Sequence, residues 1–393
     1  MKHFLRWTIR IVLTLAIILA AGVAWKWDDI NRLLAVNSMF AEEKIVNNFS
    51  NMNTMFHNVE MDVPNDDPLA LPPMPLDMPD GLTKWVEDRS VTSIVVLFAG
   101  NLVYEEYFQG TADTDRRISW SVAKSFLSAL MGIILDEGAI DSIDDPVTKY
   151  APALIGSAYE TTTIRNVLNM ASGVTFNEDY LDFNSDINKM GRIIGLGGSM
   201  DGFATDLTET TRAPGERWQY VSIDTHILGM VIRGATGRSI PDLMTEKLLT
   251  PMGLEADPYY ITDGNGVAFV LGGLNLTTRD YARFGLLYAR MGFLNGKQIV
   301  PREWILESTR ASAPNTPDSI DYGMQWWIPA NARPQEYFAR GIYGQYIYHA
   351  GIVTSIGTVI IAVNSADRGF REPGSYAQNL AMFREITESI VSP

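Results

Sequence analysis

The chain has 393 residues, 46% of them hydrophobic and 20% charged, and it contains no cysteine, which excludes disulfide frameworks, thiolate zinc sites and cysteine nucleophiles. Asp and Glu outnumber Lys and Arg by 46 to 31, so the formal charge is −15 and binding to the phosphates of nucleic acid is not expected. The four histidines show no HExxH or HxH spacing, which argues against a zinc hydrolase.

Residues 1–27 combine positive charge with a long apolar run. Three basic residues precede the run: Lys2, Arg6 and Arg10. The pattern predicts a segment addressed to the membrane, with its start in the cytoplasm. Trp7 and Trp25 suit the two interfaces of an uncleaved single-pass helix, whereas residues 22–24 offer the small side chains of a signal-peptidase site. We favour the uncleaved anchor of the inner membrane, with the rest of the chain on its external, periplasmic side.

Residues 28–81 are predicted to join this segment to a compact domain. Residues 28–60 are polar and rich in Met and Asn, as in a short helix or loop above the bilayer. Residues 64–81 contain six prolines, which exclude a regular helix and favour an extended linker. We therefore expect the compact domain to occupy residues 82–393 and the linker to space it from the membrane.

The predicted domain has strands at both of its ends. Residues 93–98 and 102–108, joined by a turn at 99–101, are typical of a hairpin. Three further β segments and a final amphipathic helix are expected near the end of the chain: Tyr322–Pro329, Gly344–Ala350, Thr354–Asn364 and, for the helix, Tyr376–Ile390.

The middle of the chain is predicted to be mostly helical. Residues 121–137 are apolar nearly all round, so this helix should be central to the core. Four further helical segments are separated by Pro and Gly: Thr163–Met170, Ile223–Thr236, Ile240–Leu249 and Thr278–Met291. The expected fold class is therefore α+β, an α/β sandwich in which an antiparallel sheet from both chain ends is flanked by helices and carries a mostly helical insertion.

Ser121 and Lys124 form the first candidate site. Residues three apart on a helix project from the same face, with Cβ atoms about 5–6 Å apart. In the first turn, Ser121 would lie near free backbone N–H groups, and a lysine buried in an apolar helix has a lowered pKa and can take a proton from serine. The alternative is that Ser121 only caps the helix and that Lys124 reaches solvent.

Tyr220 and residues 341–345 are weaker candidates when each is considered alone. Tyr220 lies on a turn just before a predicted helix, where its phenolate, held between lysines, could act as a general base. A packing aromatic is the more common role for such a residue. Glycines at the start of a terminal strand allow close backbone approach, useful where an acyl group pairs with a strand edge, although a simple β-turn fits them too.

Taken in order, S-x-x-K at 121–124, Y-x-S at 220–222 and the Gly-rich strand resemble the serine β-lactamase and penicillin-binding-protein superfamily of the class C type. The resemblance covers about residues 80–390 and is nearest to the esterase and 6-aminohexanoate-dimer hydrolase branch. Further matches are Ser119–Ser125, Asn166–Val174, Glu178–Tyr180, Pro214–Glu216, Gly272–Thr277 and Tyr322–Trp327.

This resemblance implies a serine hydrolase that works through an acyl-enzyme and needs no cofactor. Ser121 would be the nucleophile, Lys124 its activator and Tyr220 the relay of the proton to the leaving group. Ser222 stands where many relatives have Asn. The oxyanion hole would consist of the N–H groups of Ser121 and Ile342.

Tyr180 is similar to a substrate-contacting tyrosine of the nylon-oligomer branch, but two departures from the family pattern bear on the substrate. The K-T-G motif is absent. Tyr343, Gly344 and Gln345 stand in its place, and the resemblance implies that they contact the substrate. A tyrosine cannot supply the cation that meets a substrate carboxylate, which argues against an efficient β-lactamase or D,D-peptidase. Gly191 stands where the nylon-oligomer enzyme has an aspartate, so specific amide recognition is in doubt.

The sequence thus favours an exported, membrane-tethered serine hydrolase that acts on carboxylic esters or small amides. One alternative is a β-lactamase or D,D-peptidase of the cell wall. The other is a membrane-bound binding or sensor domain that acylates without turnover. A small molecule is the expected substrate, and the oligomeric state is left open.

Overall fold

The structure, a computed structural model, describes residues 2–64, 66–352 and 357–391. The helices are α1 (Lys2–Trp25), α2 (Trp27–Ser38), α3 (Ile45–Ser50), α4 (Leu82–Asp88), α5 (Ala123–Asp136), α6 (Ile164–Leu168), α7 (Asp186–Gly195), α8 (Met200–Thr205), α9 (Ile223–Thr236), α10 (Ile240–Met244), α11 (Thr250–Met252), α12 (Thr278–Ala289), α13 (Arg302–Ser308) and α14 (Ser375–Val391). The strands are β1 (Asn58–Glu60), β2 (Val91–Phe98), β3 (Asn101–Tyr107), β4 (Arg117–Ile118), β5 (Tyr259–Ile261), β6 (Leu274–Leu276), β7 (Phe293–Leu294), β8 (Lys297–Gln298), β9 (Ile320–Tyr322), β10 (Trp327–Pro329), β11 (Glu336–Gly341), β12 (Gln345–Ala350) and β13 (Val359–Ser365).

The main sheet joins the two ends of the domain, as the sequence predicted. Its strand order is β3-β2-β13-β12-β11-β10-β9, and every neighbouring pair is antiparallel. The hairpin β2–β3 matches the predicted one. The predicted segment 322–329 is not one strand, because it contains the last residue of β9, a turn and the whole of β10. The first residues of the predicted strand 354–364 lie outside the described residues.

Helices cover both faces of this sheet, which explains the continuous apolar sequence of β2. Ile94 and Val96 belong to a core shared with α4 and α14, whereas Val95 and Leu97 face the larger core that contains α5 and α12. A strand buried on both faces loses the alternation of apolar and polar residues that marks a half-exposed strand. The architecture is therefore a mixed α/β fold with an antiparallel sheet, as expected.

The insertion between β3 and β9 contains α5 to α13 but also a second antiparallel sheet, of order β1-β5-β6-β4, that was not expected. Its strands are only two or three residues long, and three of them belong to the insertion. Such short strands carry no periodic pattern of apolar residues, so only their pairing partners reveal them. The insertion is mostly helical, with this small sheet beside the site.

The segment before Leu82 packs on the domain, whereas the sequence predicted a spacer. Ile45, Phe49 and Met52 are at most 2% exposed, and β1 pairs with β5. The proline-rich stretch runs along the edge strand β3, where the Met74 N–H donates to the Leu102 carbonyl at 2.8 Å. Prolines are tolerated at a sheet edge because only alternate N–H groups must face the neighbouring strand. The packed unit therefore extends upstream of residue 82.

Helix α1 is long and apolar enough to cross a membrane. Its residues Phe4–Trp25 have a mean hydropathy of 2.1, and none of that stretch is buried in the protein. A signal sequence near the N-terminus has the same properties, so the length and composition of α1 fit both an uncleaved membrane anchor and a cleaved signal sequence.

Candidate active site

Ser121 lies in a 3₁₀ turn, Trp120–Val122, that connects β4 to α5. Trp120 has a φ of +42°, a left-handed conformation that is strained for a residue with a side chain. The turn is packed tightly against the end of β11: a Cβ on Gly341 would lie 2.7 Å from the Ser119 carbonyl and 3.1 Å from the Ser121 nitrogen. Glycine at 341 thus permits the close approach of strand and nucleophile that the sequence suggested, although it ends β11 and does not begin a strand.

Lys124 is buried one turn further along, with 1% of its surface exposed. Its Nζ lies 3.2 Å from the Ser121 Oγ and donates to the Leu271 carbonyl at 2.8 Å. Burial lowers the pKa of Lys124 to about 7, against the opposing effect of the negative charges of Glu178 and Asp224. At neutral pH a substantial fraction of this lysine is therefore uncharged and able to accept the serine proton.

Tyr220 brings a phenol to the same place. Its ring centroid lies 5.6 Å from the Lys124 Nζ and 5.0 Å from the Trp327 ring. Burial raises the pKa of Tyr220 well above its usual value, although a hydrogen bond with Ser121 acts in the other direction. The expectation of a phenolate between lysines is therefore wrong: Tyr220 is a neutral phenol beside one lysine, suited to passing a proton on.

The turn between β11 and β12 carries Ile342. In the described part of the chain, neither its N–H nor that of Ser121 donates to another protein group, so both are free to bind an oxyanion. Gln345 holds this turn from behind, because its Nε2 donates to the Ile342 and Tyr343 carbonyls at 3.3 and 3.2 Å and to Ser365 at 2.8 Å.

Gly344 and Gln345 therefore support the turn from the protein side. Gly344 has a φ of +84°, and a Cβ there would lie 2.9 Å from that of Ser365. Gln345 is 1% exposed. Of the three residues that take the place of K-T-G, only Tyr343 lines a cavity at the site.

Glu178 links Tyr180 and Ser222. The Ser222 N–H and hydroxyl donate to its two carboxylate oxygens at 2.9 and 2.5 Å, and the Tyr180 hydroxyl donates at 2.8 Å. Ser222 thus uses both of its donors on a carboxylate beside the site. Its location at the start of α9 is as predicted, but its hydroxyl is occupied.

Two cavities meet at Ser121, and Tyr180 and Ile342 line both. The apolar cavity has a volume of about 350 Å³, and its walls include Val36, Phe40, Ile187, Met190, Leu271 and Tyr343. The polar cavity has a volume of about 530 Å³, and its walls include Glu178, Tyr220, Trp327, Arg340, Arg371 and Glu372. Both volumes are in the range of small-molecule binding sites.

A family model described as Beta-lactamase matches residues 86–378, which include all these polar groups. The chain belongs to the β-lactamase family. It is 30% identical over 286 residues to the 6-aminohexanoate-dimer hydrolase of Paenarthrobacter ureafaciens, an alignment that covers 69% of this chain and 72% of that one.

Solved structures agree on the fold. A Bacillus anthracis protein named "putative 6-aminohexanoate-dimer hydrolase" superposes with a TM-score of 0.79 at 23% identity, covering 90% of this chain and 96% of its own. A penicillin-binding protein homologue from Pyrococcus abyssi superposes with a TM-score of 0.59 at 21% identity, covering 77% and 76%. This member of the β-lactamase family is a serine hydrolase.

The sequence analysis did not single out Arg340 in this β-lactamase-family site. Its guanidinium lies over the rings of Trp327 and Tyr376, 5.7 and 5.4 Å from the centroids, and lines the polar cavity. Among the described residues it has no carboxylate partner. A cation is thus present near Ser121 although the K-T-G lysine is missing. No local pattern marked it, since it lies in a strand that was not predicted.

Glu178 was quoted within a matching motif but was assigned no role. A carboxylate close to a tyrosine in the sequence is common on a protein surface. The position of Glu178 in the matching motif was therefore the only sequence feature that could have indicated a role. The described residues contain no cluster of three or more His, Asp or Glu that could hold a metal ion.

Proposed function

We propose that this protein is a membrane-tethered serine hydrolase that cleaves carboxylic esters or small amides outside the cytoplasm through an acyl-enzyme on Ser121. The observation that carries the proposal is the buried Lys124, whose Nζ lies 3.2 Å from the Ser121 Oγ. A lysine with a pKa near 7 in contact with a serine hydroxyl is suited to nucleophile activation.

In the proposed mechanism, neutral Lys124 takes the Ser121 proton as the Oγ attacks the substrate carbonyl carbon. The negative charge that develops on the carbonyl oxygen is held by the N–H groups of Ser121 and Ile342. Tyr220 gives its proton to the leaving group and takes the proton held by Lys124, and the bond between carbonyl carbon and leaving group breaks. Water then attacks the acyl-enzyme with the same groups in reversed roles, which releases the acid and restores Ser121.

The membrane tether is supported by α1, whose apolar side chains are exposed and not packed in the protein core. An exposed apolar helix of this length is stable in lipid and not in water. By the positive-inside rule, the three basic residues near the start of α1 would keep that end in the cytoplasm, so the catalytic domain would lie outside.

The nucleophile is tested by Ser121→Ala. Hydrolysis of p-nitrophenyl acetate and labelling by a fluorophosphonate probe should both fall by about 10³-fold or more, because the residues of such a site act as a unit. The matched control is Ser125→Ala in α5: the Ser125 hydroxyl donates to the Gln325 carbonyl at 2.8 Å, and the residue lines neither cavity. Labelling of another serine in the Ser121→Ala protein would overturn the assignment.

The same wild-type preparation separates the alternative functions. Faster turnover of nitrocefin or of a D-Ala-D-Ala peptide than of simple esters would favour the β-lactamase or peptidase. A stoichiometric burst without steady turnover would favour the sensor.

A further inference from the structure

The apolar cavity is built in part by residues that lie outside the matched family region. Val36, at the end of α2, and Phe40, just after it, form one wall, whereas the family match begins at residue 86. The opposite wall comes from α7, through Ile187 and Met190. The site beside Ser121 is therefore completed by the segment that directly follows the membrane helix.

This wall is held firmly in place. The Phe40 ring stacks on Tyr343 at a centroid distance of 4.6 Å and an interplanar angle of 15°, and it also contacts Trp120 at 5.8 Å. Val36 packs so closely on α7 that a Cβ on Gly195 would lie 2.7 Å from its Cγ2. The Asn48 side chain donates to the Met39 carbonyl at 3.0 Å, which fixes the chain between the two wall residues.

Tyr220 indicates which part of the substrate enters each cavity. It lines the polar cavity, and in the proposed mechanism it gives its proton to the leaving group. The leaving group therefore lies in the polar cavity, and the acyl group of the substrate extends into the apolar one. Leu181 and Phe183, which are 84% and 67% exposed, continue the apolar lining at its mouth.

We propose that the apolar cavity is an acyl subsite that binds an unbranched aliphatic chain, and that the segment Val36–Phe40 is an essential wall of this subsite. The proposal rests on the proposed function, because it needs an acyl-enzyme on Ser121. Each methylene buried there adds binding energy that an acetyl group cannot use. The preferred substrates are then esters or amides of medium-chain fatty acids.

The test compares p-nitrophenyl acetate, hexanoate and decanoate with the full-length protein in detergent. We expect kcat/KM for hexanoate to exceed that for acetate by about 10-fold to 100-fold. Gly191 lines the cavity, and no atom lies within 4 Å of the position of a Cβ there. Gly191→Leu should therefore occupy part of the cavity and lower the ratio of kcat/KM for hexanoate to kcat/KM for acetate by about tenfold or more.

Phe40→Ala tests the wall from the other side and should likewise reduce the hexanoate preference. Its matched control is Phe293→Ala, because Phe293 is 49% exposed and lines neither cavity. Gly191→Ala is the control for Gly191→Leu and should keep the preference. Wild-type rates that do not rise from acetate to hexanoate, or an unchanged ratio in both Gly191→Leu and Phe40→Ala, would overturn the acyl subsite.

These outcomes are distinct from failure of the proposed function. Acetate hydrolysis and fluorophosphonate labelling that depend on Ser121 report the function itself, whatever the chain-length ratio. If they are present and the ratio is flat, only the acyl subsite is overturned.

Discussion

Lys124 illustrates how a single buried residue acquires chemical reactivity. It lies on a helix that has no polar face, and its hydrogen-bond acceptors among the described residues are the Ser121 hydroxyl and the Leu271 carbonyl. Neither is a charge, so desolvation outweighs the distant carboxylates and the pKa falls. The same burial keeps Tyr220 neutral, because the charged form of each side chain is the one that loses its hydration.

The pH dependence of the reaction should follow Lys124. Below its pKa the lysine is protonated and cannot accept the serine proton, so kcat/KM for p-nitrophenyl acetate should rise with pH and level off above about 7. Lys124→Arg keeps a positive charge, but arginine cannot lose its proton near neutral pH and so cannot act as the base. This variant should lower kcat by about 10²-fold or more. Lys149→Arg, at an exposed ion pair with Asp141, should leave the profile unchanged. An active Lys124→Arg enzyme with the same profile would assign the base elsewhere.

Arg340 should favour substrates whose leaving group is anionic, since it lines the polar cavity with Tyr220. For 4-acetoxybenzoate, Arg340→Gln should raise KM by about tenfold, or about 1.4 kcal/mol, while KM for its neutral methyl ester changes less than twofold. Arg368→Gln, which removes a surface ion pair with Glu42, is the control. Equal changes in KM for the charged and the neutral ester would show that Arg340 does not bind the negative charge of the leaving group.

At the scale of elements, close packing on the sheet positions the site. Helix α12 lies against β12 and β13, and Gly285 allows this contact: a Cβ there would be 2.4 Å from the Ile360 Cγ2 and 3.0 Å from the Ile347 Cγ2. Strand β12, one of the strands that α12 covers, begins directly after the turn that carries Ile342. Packing of this helix therefore supports the geometry of the oxyanion hole.

Gly285→Ala should destabilise the protein in spite of the better helix propensity of alanine. Overpacking against Ile360 and Ile347 should cost about 1–3 kcal/mol, more than the gain of up to about 1 kcal/mol from propensity. Gly191→Ala in α7 is the control and should stabilise the protein. A Cβ there has no atom within 4 Å, so the higher helix propensity of alanine is not offset by overpacking. Thermal denaturation of the two variants should shift the midpoint in opposite directions. A Gly285→Ala protein as stable as the wild type would show that the sheet can move aside.

At the scale of the whole molecule, helix α2 connects the apolar helix α1 to the active site. Helix α1 is followed directly by α2, and the end of α2 reaches the apolar cavity. The segment 45–63, which follows α2, is not a long spacer, since six of its side chains belong to the core: Ile45, Phe49, Met52, Phe56, Met61 and Val63. A membrane-tethered enzyme of this kind would hold its acyl subsite close to the lipid surface.

The orientation in the membrane is tested with reporters fused after Ser38, the last residue of α2. Alkaline phosphatase should be active at this point and green fluorescent protein dark, because the basic residues near the start of α1 are expected to keep that end in the cytoplasm. The same fusions without residues 2–25 should show the reverse, as the matched control. Fluorescence from the full-length fusion would place the domain in the cytoplasm and overturn the proposed localisation.

Much of this protein was determined locally and could be predicted from the sequence. Helix α9 has the predicted bounds, since Gly237 ends it with a φ of +68°. The hairpin β2–β3 follows from two apolar runs around a turn. The three-residue spacing of Ser121 and Lys124 predicted their proximity, and it holds although Ser121 lies in the 3₁₀ turn that precedes α5 and not in the helix itself.

Only the tertiary structure decided the features that depend on distant partners. Strand β11 was missed because it contains Glu336, whose carboxylate is buried only because Arg384 and Tyr348 donate to it. Arg340 belongs to the same strand and was missed with it. Phe40 reaches the cavity by stacking on Tyr343, about three hundred residues away in the chain. A local pattern records which residues prefer a helix or strand, but such contacts arise only when separate parts of the chain pack together, and these contacts shape the two cavities around Ser121.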